Sequence, residues 1–264
     1  MKSSIPGLFC RFGAHDRVFC KQNRYKYVCW LAEFVDSLKF ELSSLDNQKG
    51  RCTQEDAPKK RTELRVLLTA FEPYDTWEQN SSWEALVTFL HKRGIPSGVT
   101  TRRYPVDLGQ LQSRLEKDLD LGFDAVLHLG QAPGISRVQI EAIAVNVAGI
   151  TEAVGDFFGP LVSSGPVAYR TNFPLDQWNL ELRYIGIPCS VSFHAGTYLC
   201  NAAMFLTHHW HEVRKRSCSV GFVHFPLTPE QVLHSRRDLS SMPREQSAEA
   251  IGRILDLMMK AKEA

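Results

Sequence analysis

The rhythm of apolar and polar positions changes at about residue 64. From there onward, apolar runs of strand length alternate with stretches whose apolar residues recur every three or four positions, the two periods of strand and helix. Residues 64–69 read as a strand, 82–93 as a helix and 99–104 as a strand. Residues 108–119 read as a second helix, with Leu108, Leu111, Leu115 and Leu119 along one face. Strands follow at 125–130, over an extended run at 140–147, at 189–193 and at 219–224, and helices at 202–214 and 247–260. This alternation predicts an α/β fold, a three-layer α/β/α sandwich around a mixed, mostly parallel sheet.

Residues 1–63 lack that rhythm. The section ends in a polar run from Asp46 to Arg61, and its one helical pattern, over 28–42, places Trp30, Leu31, Phe34, Val35, Leu38 and Leu42 near three- and four-residue spacing. We read it as an N-terminal extension of low order, with or without that amphipathic helix, ahead of a catalytic-type domain over 64–264.

Composition narrows the classes. A chain of 264 residues with 44% hydrophobic content supports a substantial core, and a formal charge of +2 gives no support for a nucleic-acid partner. The cysteines, Cys10, Cys20, Cys29, Cys52, Cys189, Cys200 and Cys218, show no CxxC spacing of a zinc or redox site. No run has the length of a membrane span or the form of a signal peptide, so the expected setting is cytoplasmic, with free thiols and no membrane contact. Neither GxGxxG nor a Walker-type loop occurs, and no cofactor is implied. His208, His209 and His211 resemble a metal cluster, but helical spacing places His208 and His211 on one exposed face, and we expect no metal.

In such sheets ligands sit beyond the carboxyl ends of the strands. The loops after residues 71, 131, 194 and 224 fall there. Within the third, a strand, a Gly turn and a helix start bring Cys200 to a helix N-terminus, where unpaired N–H groups and the helix dipole favour a thiolate. The competing reading is a small buried hydrophobe between Leu199 and Met204. His224 ends a strand before Phe225-Pro226 and is the best-placed base. Glu141 interrupts the apolar segment 138–145, either as a buried carboxylate with a partner or as an outward-facing charge on the polar side of a strand.

Together with these three residues, five ordered segments resemble the pyroglutamyl peptidase I family of cysteine peptidases. They are Leu67-Leu-Thr-Ala-Phe-Glu-Pro-Tyr74 with Asn80-Ser-Ser-Trp83; Gly130-Gln-Ala-Pro-Gly134 leading to Glu141 and Asn146; Gly165-Pro-Val-Ala-Tyr169; Ala195-Gly-Thr-Tyr-Leu-Cys-Asn201; and Gly221-Phe-Val-His-Phe-Pro226. The resemblance implies an omega-peptidase cleaving after an N-terminal pyroglutamyl residue, with Cys200 as nucleophile, His224 as general base and acid, and Glu141 orienting the imidazole. It implies that Phe71 and Tyr74 line a lactam pocket and that Asn80 ties their loop to its neighbours. Tyr198 and Leu199 would wall the pocket, and the loop of Gln131 would offer backbone groups to the lactam amide. Peptides with N-terminal pyroglutamate are the expected partners, and a homo-oligomer, often a tetramer, the expected assembly.

Two departures bear on that expectation. The family's Phe-Gly-Pro-Phe-Gly-Gly loop is here Phe71-Glu-Pro-Tyr-Asp-Thr76, without the two closing glycines; Asp75 can take the positive backbone angle of a glycine but Thr76 does so poorly, so another loop shape is expected, and Tyr74 adds a hydroxyl needing a partner. After Asn146 an Arg-Ile-Pro-Asp-like loop is replaced by Ala148-Gly-Ile-Thr-Glu-Ala-Val154, without its arginine. A related cysteine amidohydrolase for another small lactam or acyl amide, or a low-activity binding homologue, are the alternatives.

Overall fold

A computed structural model of the chain describes residues 63–152, 155–233 and 235–263. The expected extension and its helix over 28–42 lie outside the described residues. Strands β1 (Val66–Phe71), β2 (Val99–Tyr104) and β3 (Ala125–Gln131) alternate with helices α1 (Ser81–Arg93) and α2 (Leu108–Leu119). There follow β4 (Val138–Glu141), β5 (Ile143–Val145), β6 (Ala148–Glu152), β7 (Gly155–Gly159) and β8 (Ala168–Arg170), then α3 (Leu175–Tyr184) and β9 (Cys189–Ser192). Helix α4 (Leu199–Val213), β10 (Ser219–Phe225), the short α5 (Pro229–Leu233) and α6 (Arg244–Glu263) complete the order.

Six strands form one sheet in the order β2-β1-β3-β10-β4-β9. The first four run parallel, and β4 reverses against β10 and pairs parallel with β9. The period-two alternation divides each central strand between two cores. Val66, Leu68, Ala70, Leu127, Leu129, Val223 and Phe225 face α1, α3 and α6, where Leu86, Phe89, Trp178, Leu182, Ile251 and Ile254 cover them. Leu67, Phe71, Val126, Val220 and Phe222 face α2 and α4, under Leu111, Leu115, Leu199, Ala203 and Phe205. This double burial makes the three-layer sandwich and explains why the strands read as unbroken apolar runs.

The expected extended run at 140–147 is two strands, since Ala142 leaves the ladder and β5 pairs instead with β8. Helix α4 begins at Leu199, three residues earlier than the apolar pattern alone predicts. The amphipathic count starts at Ala202 because Cys200 and Asn201 break the apolar face without breaking the helix. His208 and His211 also depart from expectation: His211 is buried, donating from Nδ1 to the Thr207 carbonyl at 2.8 Å, and His208 lies flat against Tyr169. The α4 face that carries them packs inward over β8 and the sheet rather than toward solvent. Among the described residues no helix is long and apolar enough to cross a membrane.

Candidate active site

Strand alternation decides where His224 and Glu141 point. On β10, Val220 and Phe222 face α4, so His224, two residues on, faces it too. On β4, Val138 and Ile140 fill the opposite core, which turns Gln139 and Glu141 to the α4 side. The antiparallel register sets Glu141 opposite Phe222 and hence diagonal to His224, within reach of a long side chain. Nδ1 of His224 donates to Glu141 Oε1 at 2.7 Å, and the carboxylate is fully buried. Of the two readings of Glu141, the inward, partnered one is observed.

Cys200 comes to the same place from above. It lies in the first turn of α4, whose N-cap residue Tyr198 makes no side-chain capping bond and so leaves the first-turn N–H groups unspent by its own side chain. The sulfur acts on the His224 ring by charge and hydrogen bond, and Glu141 holds Nδ1, which leaves Nε2 free for it. Gly130 makes the approach possible: it is the β3 partner of His224, and a Cβ there would come within 3.1 Å of the Cys200 sulfur and 2.7 Å of the Phe222 ring. Asn201 pins the helix start, accepting from Val145 N at 2.8 Å and donating to the Val145 and Val147 carbonyls at 2.9 and 3.0 Å. Its place beside Cys200 in the sequence was visible, but its stapling role depends on β5, which the pattern had merged into a longer run.

The electrostatics follow from these neighbours. Burial pushes the His224 imidazole down, but the Cys200 sulfur, by charge and hydrogen bond, and the Glu141 carboxylate outweigh it and bring the pKa up to about 9. The His224 ring therefore holds its proton well above the pH at which a free imidazole loses it. Burial pushes the thiols of Cys189 and Cys218 up to about 12, which leaves them inert.

A cavity of about 150 Å³ opens at Cys200, lined by Phe71, Tyr74, Asn80, Gln131, Tyr198 and Leu199 together with Val106, Ala195 and Gly196. All the expected pocket residues meet here. The volume is well below the several hundred Å³ of sites for drug-sized ligands and suits a small ring. Asn80 caps α1 through Ser82 N at 3.1 Å and donates to the Glu72 carbonyl at 3.0 Å, which ties the Phe71 loop as expected. Asp75 takes the left-handed conformation, φ 54°, in place of glycine. Burial first, and then the Cys200 charge, raise the Tyr74 phenol to about 12, so it stays a neutral donor, directed at the Gln131 carbonyl 3.4 Å away. A larger hollow of about 490 Å³ beside Phe89, Arg93 and Gly252 is lined by no cysteine, serine or threonine among the described residues.

His194, six residues before the cysteine, accepts from Gly196 N at 2.9 Å within its own turn. The segment after Asn146 forms the β6–β7 hairpin, and Asn146 anchors its far side through Val162 N and O at 2.9 and 2.7 Å.

The signature of the pyroglutamyl peptidases matches residues 64–259. The chain belongs to this family. A pyrrolidone-carboxylate peptidase of Erwinia tasmaniensis is 38% identical over 176 residues, covering 64% of this chain and 81% of the relative. The solved pyrrolidone carboxyl peptidase of Thermococcus litoralis superposes with a TM-score of 0.68 at 29% identity, covering 76% of this chain and 96% of that one. The structure from Fervidobacterium islandicum gives 0.69 at 30% identity, over 75% and 99%. Membership in the pyroglutamyl peptidase family makes the chain a cysteine peptidase by class.

Proposed function

We propose that the protein hydrolyses the amide bond after an N-terminal pyroglutamyl residue, with Cys200, His224 and Glu141 as its catalytic triad. The observation that carries this reading is the convergence of the buried Glu141–His224 pair with Cys200 at the wall of the small cavity. The thiolate attacks the carbonyl joining the ring to the next residue, and the N–H groups of the α4 first turn stabilise the oxyanion. His224 gives its proton to the departing amine and then takes one from water, which releases pyroglutamate from the thioester.

The cavity matches an uncharged five-membered lactam. Phe71 and Tyr74 offer ring faces, and among the described residues no carboxylate lines it to pair with a free N-terminal ammonium, whose burial unpaired would cost several kcal/mol. We assign the catalytic unit to residues 64–264, which the match over 64–259 supports. Release of a chromophore from a pyroglutamyl amide, with and without iodoacetamide, tests the reading, with prolyl and acetyl amides as competitors. Hydrolysis of the pyroglutamyl amide that alkylation stops is the expected result. Preference for the acetyl amide would instead favour a related amidohydrolase, a reading to which the Tyr74 hydroxyl in the cavity lends its weight.

A further inference from the structure

Gln131 lines the cavity with 3% of its surface exposed, and its Nε2 is buried with no partner among the described residues. A buried donor is costly to leave unpaired, so the site favours a ligand that accepts from it. Its orientation is fixed from outside the cavity. The backbone N–H of Ser81, which can only donate, lies 2.7 Å from one end of the Gln131 amide, so that end is the oxygen. A second donor reaches the same oxygen at 2.7 Å: Nε2 of Gln231, on α5. Gln231 is itself fixed, because its oxygen accepts from Thr228 N at 2.8 Å and its Nε2 also donates to the Gln79 carbonyl at 3.0 Å. Backbone N–H groups thus set both amides of the relay, and what remains unspent is the Gln131 NH₂.

We propose that Gln231 is a positioning residue for substrate binding: by saturating the Gln131 oxygen it holds the Gln131 Nε2 ready to donate to the ring carbonyl of a lactam in the cavity. The inference rests on the pyroglutamyl reading and adds to it a residue that never touches substrate. Without Gln231 the Gln131 amide keeps one anchor at Ser81 and gains freedom to turn, so the loss falls on recognition of the ring carbonyl rather than on the sulfur, the imidazole or the carboxylate.

Gln231→Leu, Gln131→Leu and the double variant are compared for hydrolysis of a pyroglutamyl amide. Two competitive inhibitors are measured alongside, 2-pyrrolidone, which carries the ring carbonyl, and cyclopentanecarboxamide, whose ring lacks it. We expect Gln231→Leu to raise KM and the 2-pyrrolidone inhibition constant about tenfold, the loss of about one hydrogen bond, with kcat and cyclopentanecarboxamide inhibition unmoved. The double variant should be no worse than Gln131→Leu, because the two act through one donor. Gln231→Glu, which fills the same space without donating, serves if the leucine variant fails to unfold cooperatively. Unchanged KM and inhibition constants, losses that add in the double variant, or equal losses for both inhibitors overturn the inference while leaving the peptidase reading intact. If the wild type cleaves no pyroglutamyl amide, 2-pyrrolidone binding by calorimetry separates the two: binding weakened by Gln231→Leu keeps the positioning role and sinks the peptidase reading, and no binding sinks both.

Discussion

His128 and His224 stand on the same face of the same sheet, on neighbouring strands, flanking one aromatic ring: Phe222 lies 6.1 Å from the first imidazole and 4.6 Å from the second. Both are buried, yet burial holds His128 down near a pKa of 3 while His224 is raised to about 9. The difference lies in their partners. Thr207 spends its hydroxyl proton on the Ala203 carbonyl, so it must accept from His128 Nε2, and Thr69 then donates to Nδ1. Those neutral hydroxyls satisfy a neutral ring completely. His224 meets the Glu141 carboxylate at Nδ1 and the Cys200 sulfur besides, and both act to keep the ring charged. A buried histidine becomes a proton-transfer group here by the charge of its partners, not by its depth.

The largest effect expected from breaking this contrast is at the sulfur. Cys200→Ser should lower kcat for a pyroglutamyl amide by about 10⁴-fold or more, while Cys189→Ser and Cys218→Ser, at thiols raised to about 12, should leave turnover within a few-fold. Comparable turnover in all three variants would take Cys200 out of the mechanism. Next comes the carboxylate. Glu141→Gln should cost about 10²–10⁴-fold in kcat, as loss of an orienting carboxylate does. It also removes two of the influences that raise His224, so the alkaline limb of kcat/KM, expected near pH 9 in the wild type, should move toward neutrality. A pH profile that stays in place would mean the carboxylate does not govern the imidazole.

A smaller loss is expected from crowding the junction between the two histidine environments. Gly130 takes an ordinary backbone angle, so its requirement is one of space. An added methyl would press on the Phe222 ring and the Cys200 sulfur, and such overpacking costs about 1–3 kcal/mol. Gly130→Ala should therefore lower kcat/KM about tenfold or more, with slower alkylation of Cys200 by iodoacetamide as the direct readout. Unchanged alkylation would show that the ring and sulfur yield without losing their alignment.

The helix and strand periods marked most of the sheet and its order along the chain, because double burial writes near-continuous apolar runs. They also carried Cys200, His224 and Glu141 as residues whose chemistry broke those runs. More escaped between β5 and β9, where α3, β6 and β7 were not expected, and the short α5 and β8 are too brief to show a period; α5 holds Gln231, whose role is legible only once Thr228, Gln79 and Gln131 stand around it. His128 escaped as well, reading as one polar residue within a buried strand, because a histidine's pKa is set by partners such as Thr69 and Thr207 that are distant in sequence.

The last test places the two histidines on opposite limbs of one stability curve. In the unfolded chain an imidazole binds its proton near pH 6.5. Burial lowers His128 to about 3 and His208 to about 4 in the folded protein, so their contribution is complete above pH 6.5 and falls as the pH drops below it, by about 1.4 kcal/mol per unit for each ring. His224, raised to about 9, acts in the other direction: its contribution is complete below pH 6.5 and is lost as the pH climbs through 9. Thermal unfolding midpoints should therefore be highest near pH 6.5 and fall on both sides. His128→Gln, which can still bond both threonine hydroxyls, should about halve the slope of the acid side, His208 keeping the rest, and leave the alkaline side as it is. Cys200→Ser removes the sulfur that does most to raise the imidazole, with Glu141 left in place, so it should make the alkaline side alone shallower. Midpoints of the wild type that hold level from pH 7 to pH 5 would show that the His128 ring takes up its proton without strain, and the contrast with His224 would then rest on position in the sheet rather than on partners.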